Sequence, residues 1–149
     1  MAGRISYLGG IVKDGLVLCL DAGKQDSYPR TGTAWNDLSG NGNNGTLTNF
    51  SLPSPQTIWN SDNGGSIVFD GSNDYVNLSN ILNFERTDSF SINMWLTTTS
   101  ISTTQVIISK WVTNGYEIFI LNPGKIGWTL ANSGGGVNQI RVDSPNDTI

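Results

Sequence analysis

The feature that most limits what this chain can fold into is its punctuation. Short apolar runs are cut apart by clusters of Gly, Asn, Asp and Ser roughly every eight to twelve residues, a spacing that leaves room for strands but not for helices of ordinary length. The runs include Gly15–Asp21 (GLVLCLD), Thr46–Thr48, Ser66–Asp70, Tyr75–Leu78, Val106–Trp111, Tyr116–Leu121, Lys125–Leu130 and Gln139–Val142. The breaks between them include Ser39–Gly45 (SGNGNNG), Gly71–Asp74, Asn114-Gly115, Pro123-Gly124 and Ser133–Gly136. Such breaks favour tight reversals, because Gly and Asn tolerate positive φ.

The pattern inside the runs assigns them further. Gly15–Asp21 is continuously apolar and predicts a strand buried on both faces. Ser89–Thr97 alternates Phe90, Ile92, Met94 and Leu96 against Ser91, Asn93 and Trp95, the period of two that predicts a half-buried strand. Ser66–Asp70 and Tyr75–Leu78 flank a turn cluster and predict a hairpin, and Ser79–Asp88 predicts at most one helical turn. Ile126, Trp128 and Leu130 are expected to share one face. The fold class is therefore all-β, an antiparallel β-sandwich of about ten short strands. The 149 residues are the size of a single domain, with no repeat and no linker.

Composition then excludes chemistry. Charged residues are only 13% of the chain, against about 25% in ordinary soluble domains, and the net charge of −4 includes no basic run. Nucleic acid is thus not an expected partner. The chain has no His and one Cys, Cys19, which excludes Ser-His-Asp and Cys-His catalysis and a structural zinc site within it. A metal would have to be a hard cation held by oxygens. No apolar stretch approaches the ~18 residues of a membrane span, and without a signal peptide the chain is expected to be made in a reducing cytoplasm.

Several blocks together resemble a known family. Gly15–Asp21, Trp35–Leu47 (WNDLSGNGNNGTL), Gly65–Val76 (GSIVFDGSNDYV), Phe90–Trp95 (FSINMW) and Ile108–Phe119 (ISKWVTNGYEIF) are similar, in order and spacing, to the laminin-G-like domains of the concanavalin A-like lectin/glucanase superfamily. The opening Tyr7–Asp21 (YLGGIVKDGLVLCLD) further resembles the start of tailed-phage structural proteins that carry this domain. The resemblance implies a jelly roll over residues 15–149 preceded by a docking arm, residues 1–14, in which Ile5, Tyr7 and Leu8 would contact a partner. It also implies a jelly roll lacking the C-terminal strands of the family, so that another chain completes the sandwich, a homo-oligomer pairs the open edge, or the C-terminal half is reorganised.

Against that family each chemistry is weighed by residues. Hydrolases of the superfamily carry an acidic cluster on a central strand, whereas Glu85 and Glu117 have no acidic partner two residues away. The chain is read as no enzyme. Family lectins hold Ca²⁺ at loop rims, for which Asp70, Asn73 and Asp74 are the candidate ligands, or alternatively Asp37 with Asn41 and Asn43. Asp and Asn in such turns also bond their own backbone, which explains them without a cation. A glycan site would draw on Trp111, Asn114, Tyr116 and Trp128, aromatic faces beside amides, and these same rings would otherwise pack a core. The functional expectation is a virion structural protein of a tailed phage, a capsid decoration protein or a head or tail fibre component that binds other virion proteins. The alternative is a carbohydrate-recognition module for host surface glycans.

Overall fold

The computed structural model describes residues 11–50, 58–84, 87–99, 102–110, 115–122, 124–131 and 140–144. The chain divides into two compact units, Met1–Ile81 and Leu82–Ile149. Among the described residues, apart from a short 3₁₀ turn at Asp62–Gly64 and helical Ile58, the regular structure is strand and all antiparallel, as the punctuation predicts.

In the first unit, β1 (Ala34–Trp35), β2 (Gly45–Thr48) and β5 (Tyr75–Asn77) form one sheet in the order β1-β2-β5, and β3 (Trp59–Asn60) pairs with β4 (Ser66–Ile67) in another. The SGNGNNG cluster does reverse the chain between β1 and β2, with Gly40 and Gly42 at positive φ. Leu47, Tyr28, Phe50 and Ile58 are the buried core, with Trp35, Trp59, Ile67 and Val76 packed against them. Tyr28 lies in a polar-looking stretch, yet it is wholly buried, meets Trp35 edge-on at 6.4 Å and donates its hydroxyl to Gly32 O at 3.1 Å.

Two expectations fail in this unit, the first because side chains take over hydrogen bonds a ladder would have made and the second because each strand finds another partner. Gly15–Asp21 forms no strand. Its carbonyls at Leu16 and Val17 accept from the Asn41, Asn43 and Ser39 side chains, and its Cys19 N–H goes to Asp37. The hairpin expected between Ser66–Asp70 and Tyr75–Leu78 is also absent: β4 pairs with β3 and β5 with β2. The turn itself forms locally, because Asp70 and Asp74 accept the N–H groups within it.

The second unit is a four-stranded meander, β6 (Gln105–Ser109), β7 (Gly115–Leu121), β8 (Lys125–Ala131) and β9 (Ile140–Asp143), paired in chain order. Ile126, Trp128 and Leu130 do share a face, opposite Ile120, Ile118 and Tyr116. A register shift between Val106 and Ile108 bulges β6, a feature that increases local twist. Ser89–Thr97 keeps its alternation as far as Trp95, with Phe90, Ile92 and Met94 half-buried and Ser91, Asn93 and Trp95 exposed, but Leu96 is exposed and no ladder forms. Ser79–Asp88 forms no helix among the described residues; Ser79 and Leu82, with φ of 56° and 57°, have left the helical region.

Candidate functional site

Three places carry the candidate residues, and the first is the loop that follows β1. Asp37 is its centre. One carboxylate oxygen accepts the Cys19 and Ser39 N–H groups, both at 2.9 Å, and the other accepts the Ser39 hydroxyl at 2.6 Å and the Asn43 N–H at 3.0 Å. Burial raises the Asp37 pKa, but these four donors outweigh it and leave the carboxyl below its ordinary value. Asn41 Nδ2 donates to Leu16 O at 2.8 Å, Asn43 Nδ2 donates to Val17 O at 2.8 Å, and Asn44 Oδ1 accepts the Asp37 N–H. The alternative cation set of Asp37, Asn41 and Asn43 is thus brought together, but as a clamp on residues 16–19 whose carboxylate is filled by donors of the chain itself.

The second place is the turn before β5. Asp70 Oδ1 accepts the Ser72 N–H at 2.8 Å and the Asn73 N–H at 3.3 Å, while Asp74 Oδ2 accepts the Asp70 N–H at 2.9 Å. Asn73 O accepts from the Asn49 side chain at 3.0 Å. Asp70, Asn73 and Asp74 are therefore neighbours, as the sequence suggests, and one carboxylate oxygen of each Asp serves the turn. Asp74 Oδ1 is a buried oxygen without a hydrogen-bond partner among the described residues. Among the described residues no group of three or more His, Cys, Asp or Glu gathers to hold a metal.

The third place is aromatic. Phe84 stacks on Phe90 at 4.5 Å, and Phe90 meets Tyr116 at 5.2 Å and Trp128 at 5.6 Å. Tyr116 is wholly buried, donates its hydroxyl to Leu82 O at 3.2 Å and has its pKa raised by burial. Two of the four residues considered for a glycan, Tyr116 and Trp128, are consequently part of a packed cluster. Tyr116 presents no face to a sugar, a correction whose cause is that β7 points it inward with Ile118 and Ile120. The Trp128 ring meets Phe90 at a tilt, and its indole N–H is buried without a partner among the described residues. Trp111 and Asn114 lie outside the described residues, as do Ile5, Tyr7 and Leu8 of the expected docking arm.

Two further aromatic positions stand out. Trp95 is 98% exposed, on the outward side of its segment with Ser91 and Asn93. The alternation signalled that it faces away from Phe90, though not how far. Trp59 donates its indole N–H to Ala22 O at 2.8 Å and carries the Arg30 guanidinium over its ring at 4.2 Å, an arrangement with no local sequence signal. Glu117, a strand residue, accepts from the Ser109 hydroxyl at 2.8 Å, and its ladder neighbours Ser109 and Thr129 are not acidic.

Comparison with known proteins agrees with the resemblance to the superfamily. The sequence model of the Laminin_G_3 family, of the concanavalin A-like lectin/glucanases superfamily, matches residues 70–148, more than half of the chain. The crystal structure of residues 221–444 of an S-layer domain-containing protein from Clostridium thermocellum ATCC 27405 is similar in fold, with a TM-score of 0.58 and 24% identity. That similarity covers 77% of this chain and 51% of the other, so the chain spans about half the length of that structure. None of the curated proteins compared with the chain matches it. No helix among the described residues is long and apolar enough to cross a membrane.

Proposed function

Given that the chain belongs to the concanavalin A-like lectin/glucanase superfamily, we propose that it is a non-enzymatic structural protein of a tailed-phage virion, a capsid decoration protein or a head or tail fibre component. Its partners are other virion proteins and copies of itself, and it is made in the host cytoplasm before assembly. The observation that carries this reading over a lectin is the burial of Tyr116. With buried Tyr116 and half-buried Trp128 in one packed cluster, half of the candidate sugar-binding set is engaged in packing, and a buried ring does not open for a ligand without losing the contacts that hold it. The similarity of Tyr7–Asp21 to the opening of phage structural proteins supports the particle assignment.

Two features support the absence of catalysis. Glycoside hydrolysis places two carboxyl groups about 5 to 10 Å apart, and the residues that flank Glu117 across the sheet, Ser109 and Thr129, carry hydroxyls rather than carboxyls. His, the commonest general base, does not occur in the chain.

A lectin reading retains one observation in its favour, Trp95 standing outward with Asn93 on the same side. An exposed indole beside an amide is the chemistry to which a sugar ring binds. The deciding experiment is mass spectrometry of purified particles of the phage that encodes the chain. The expected result is this chain at a fixed ratio to the major capsid protein. Its absence from particles, with recombinant protein retained on a glycan array, would overturn the structural role.

A further inference from the structure

Asparagine followed by glycine is chemically labile, since the backbone nitrogen of a residue without Cβ reaches the side-chain carbonyl carbon with little hindrance. The chain contains the pair four times, at Asn41-Gly42, Asn44-Gly45, Asn63-Gly64 and Asn114-Gly115. The last lies outside the described residues, and the structure separates the other three.

Asn41 is held, its Nδ2 donating to Leu16 O, Val17 O and Ser39 Oγ. Asn44 is held through Oδ1, which accepts the Asp37 N–H, and the Gly45 that follows is buried in β2 opposite Trp35 with Val76 and Leu78 against it. Asn63 differs in how it is held. Like Asn41 and Asn44 it is exposed, but it sits in the left-handed region at φ 56° and ψ 22°, and its side chain has no hydrogen-bond partner among the described residues. Gly64 beside it, like Gly42 and unlike the buried Gly45, is exposed at positive φ, with open space where a Cβ would stand.

We propose that Asn63-Gly64 is a site of spontaneous deamidation and isoaspartate formation. When the exposed turn opens locally, the Gly64 nitrogen attacks Asn63 Cγ. The new N–Cγ bond closes a five-membered imide, and Nδ2 leaves as ammonia with the proton from the Gly64 nitrogen. Water then opens the imide. Attack at Cγ restores the normal backbone with an aspartate, whereas attack at the main-chain carbonyl breaks the original peptide bond and leaves the chain running through Cγ. Either way one amide and one water become one carboxylic acid and one ammonia.

The fold around the turn gives this reaction a structural readout. Gly64 O lies 2.5 Å from where a Cβ on Gly23 would stand, and Gly65 is fitted as closely against Gly23 and Ala22 O. The isoaspartyl product adds a methylene to the backbone at this seat and a carboxylate next to Asp62. It therefore pushes against residues 22–23, where Ala22 O accepts the Trp59 indole N–H.

The test ages the native protein in warm, mildly alkaline buffer, with a parallel sample in urea, and maps conversion by peptide mass spectrometry and isoaspartyl methyltransferase labelling. In the native protein Asn63 is expected to convert roughly fivefold to tenfold faster than Asn41 or Asn44, about the factor that one net hydrogen bond supplies. In urea the three sites converge. Asn63→Gln removes the leading site, and a shift in Trp fluorescence accompanies conversion only where Asn63 is present. Native conversion led by Asn41 or Asn44, or Asn63 left intact natively while it converts in urea, would overturn the proposal.

Discussion

The Phe119 ring occupies the space in which a side chain at Gly127 would stand. The two residues are directly opposed across the β7–β8 ladder, and a Cβ built on Gly127 meets three ring atoms of Phe119. Gly at a strand interior is unfavourable by itself. Here an aromatic from the neighbouring strand covers the bare backbone, so that Phe119 reaches 7% exposure. Gly127→Ala is accordingly expected to destabilise by about 1–3 kcal/mol through overpacking. In a Phe119→Leu background the same substitution should cost markedly less, a non-additivity of about 1 kcal/mol or more. Denaturant unfolding of the four proteins measures it, and additive effects would mean that the ring yields freely.

Asp37 is expected to contribute to the acid limb of stability of the first unit. Its folded-state carboxyl is lowered while an unfolded Asp titrates near pH 4, so its contribution is present in full above that value and is lost as pH falls through the folded-state value. Asp37→Asn should flatten this acid limb of stability. Asp37→Ala should lower stability at neutral pH by about 2–3 kcal/mol, because it leaves several N–H donors unmatched. Urea midpoints between neutral and acid pH check both, and a variant with the same acid limb as the parent would remove Asp37 from this role.

Tyr116 and Trp95 should separate fold from recognition. Tyr116→Phe loses the bond to Leu82 O and should cost about 0.5–1.5 kcal/mol, and Tyr116→Ala about 3–5 kcal/mol. Trp95→Ala should change stability by less than about 0.5 kcal/mol, abolish any retention on a glycan array and leave docking on particles intact. Loss of particle docking in Trp95→Ala would instead place that indole in the virion contact.

Chelation should leave the protein unmoved. Asp70 and Asp74 already accept the N–H groups of their own turn, so EDTA is expected not to alter the melting midpoint. A chelator-dependent fall, abolished by Asp74→Asn, would instead assign the unpartnered Asp74 Oδ1 to a cation.

The strands of the second unit were readable because each run is bounded by its own turn residues and the meander pairs neighbours in sequence. The hairpin across Asp70–Asp74 was misread because a turn signal specifies a reversal, not which strands lie beside it. Gly15–Asp21 was misread because apolar continuity carries no information about hydrogen-bond partners, and Asn41 and Asn43 are distant in sequence from the carbonyls to which they donate. Among the site residues, the closeness of Asp70, Asn73 and Asp74 follows from adjacency. The inward turn of Tyr116 depends on Phe84 and Phe90 from another segment, which no local pattern encodes.

The clamp on residues 16–19 has a mechanical corollary. A strand in a ladder yields as a zip, each broken rung loosening the next, but a segment fastened by separate amide and carboxylate side chains behaves like cloth held by rivets. Each fastening fails at its own load. Hydrogen exchange at Cys19 N–H should therefore track the hold of Asp37 alone, letting this stretch be loosened by one substitution while β2 and β5 stay laced.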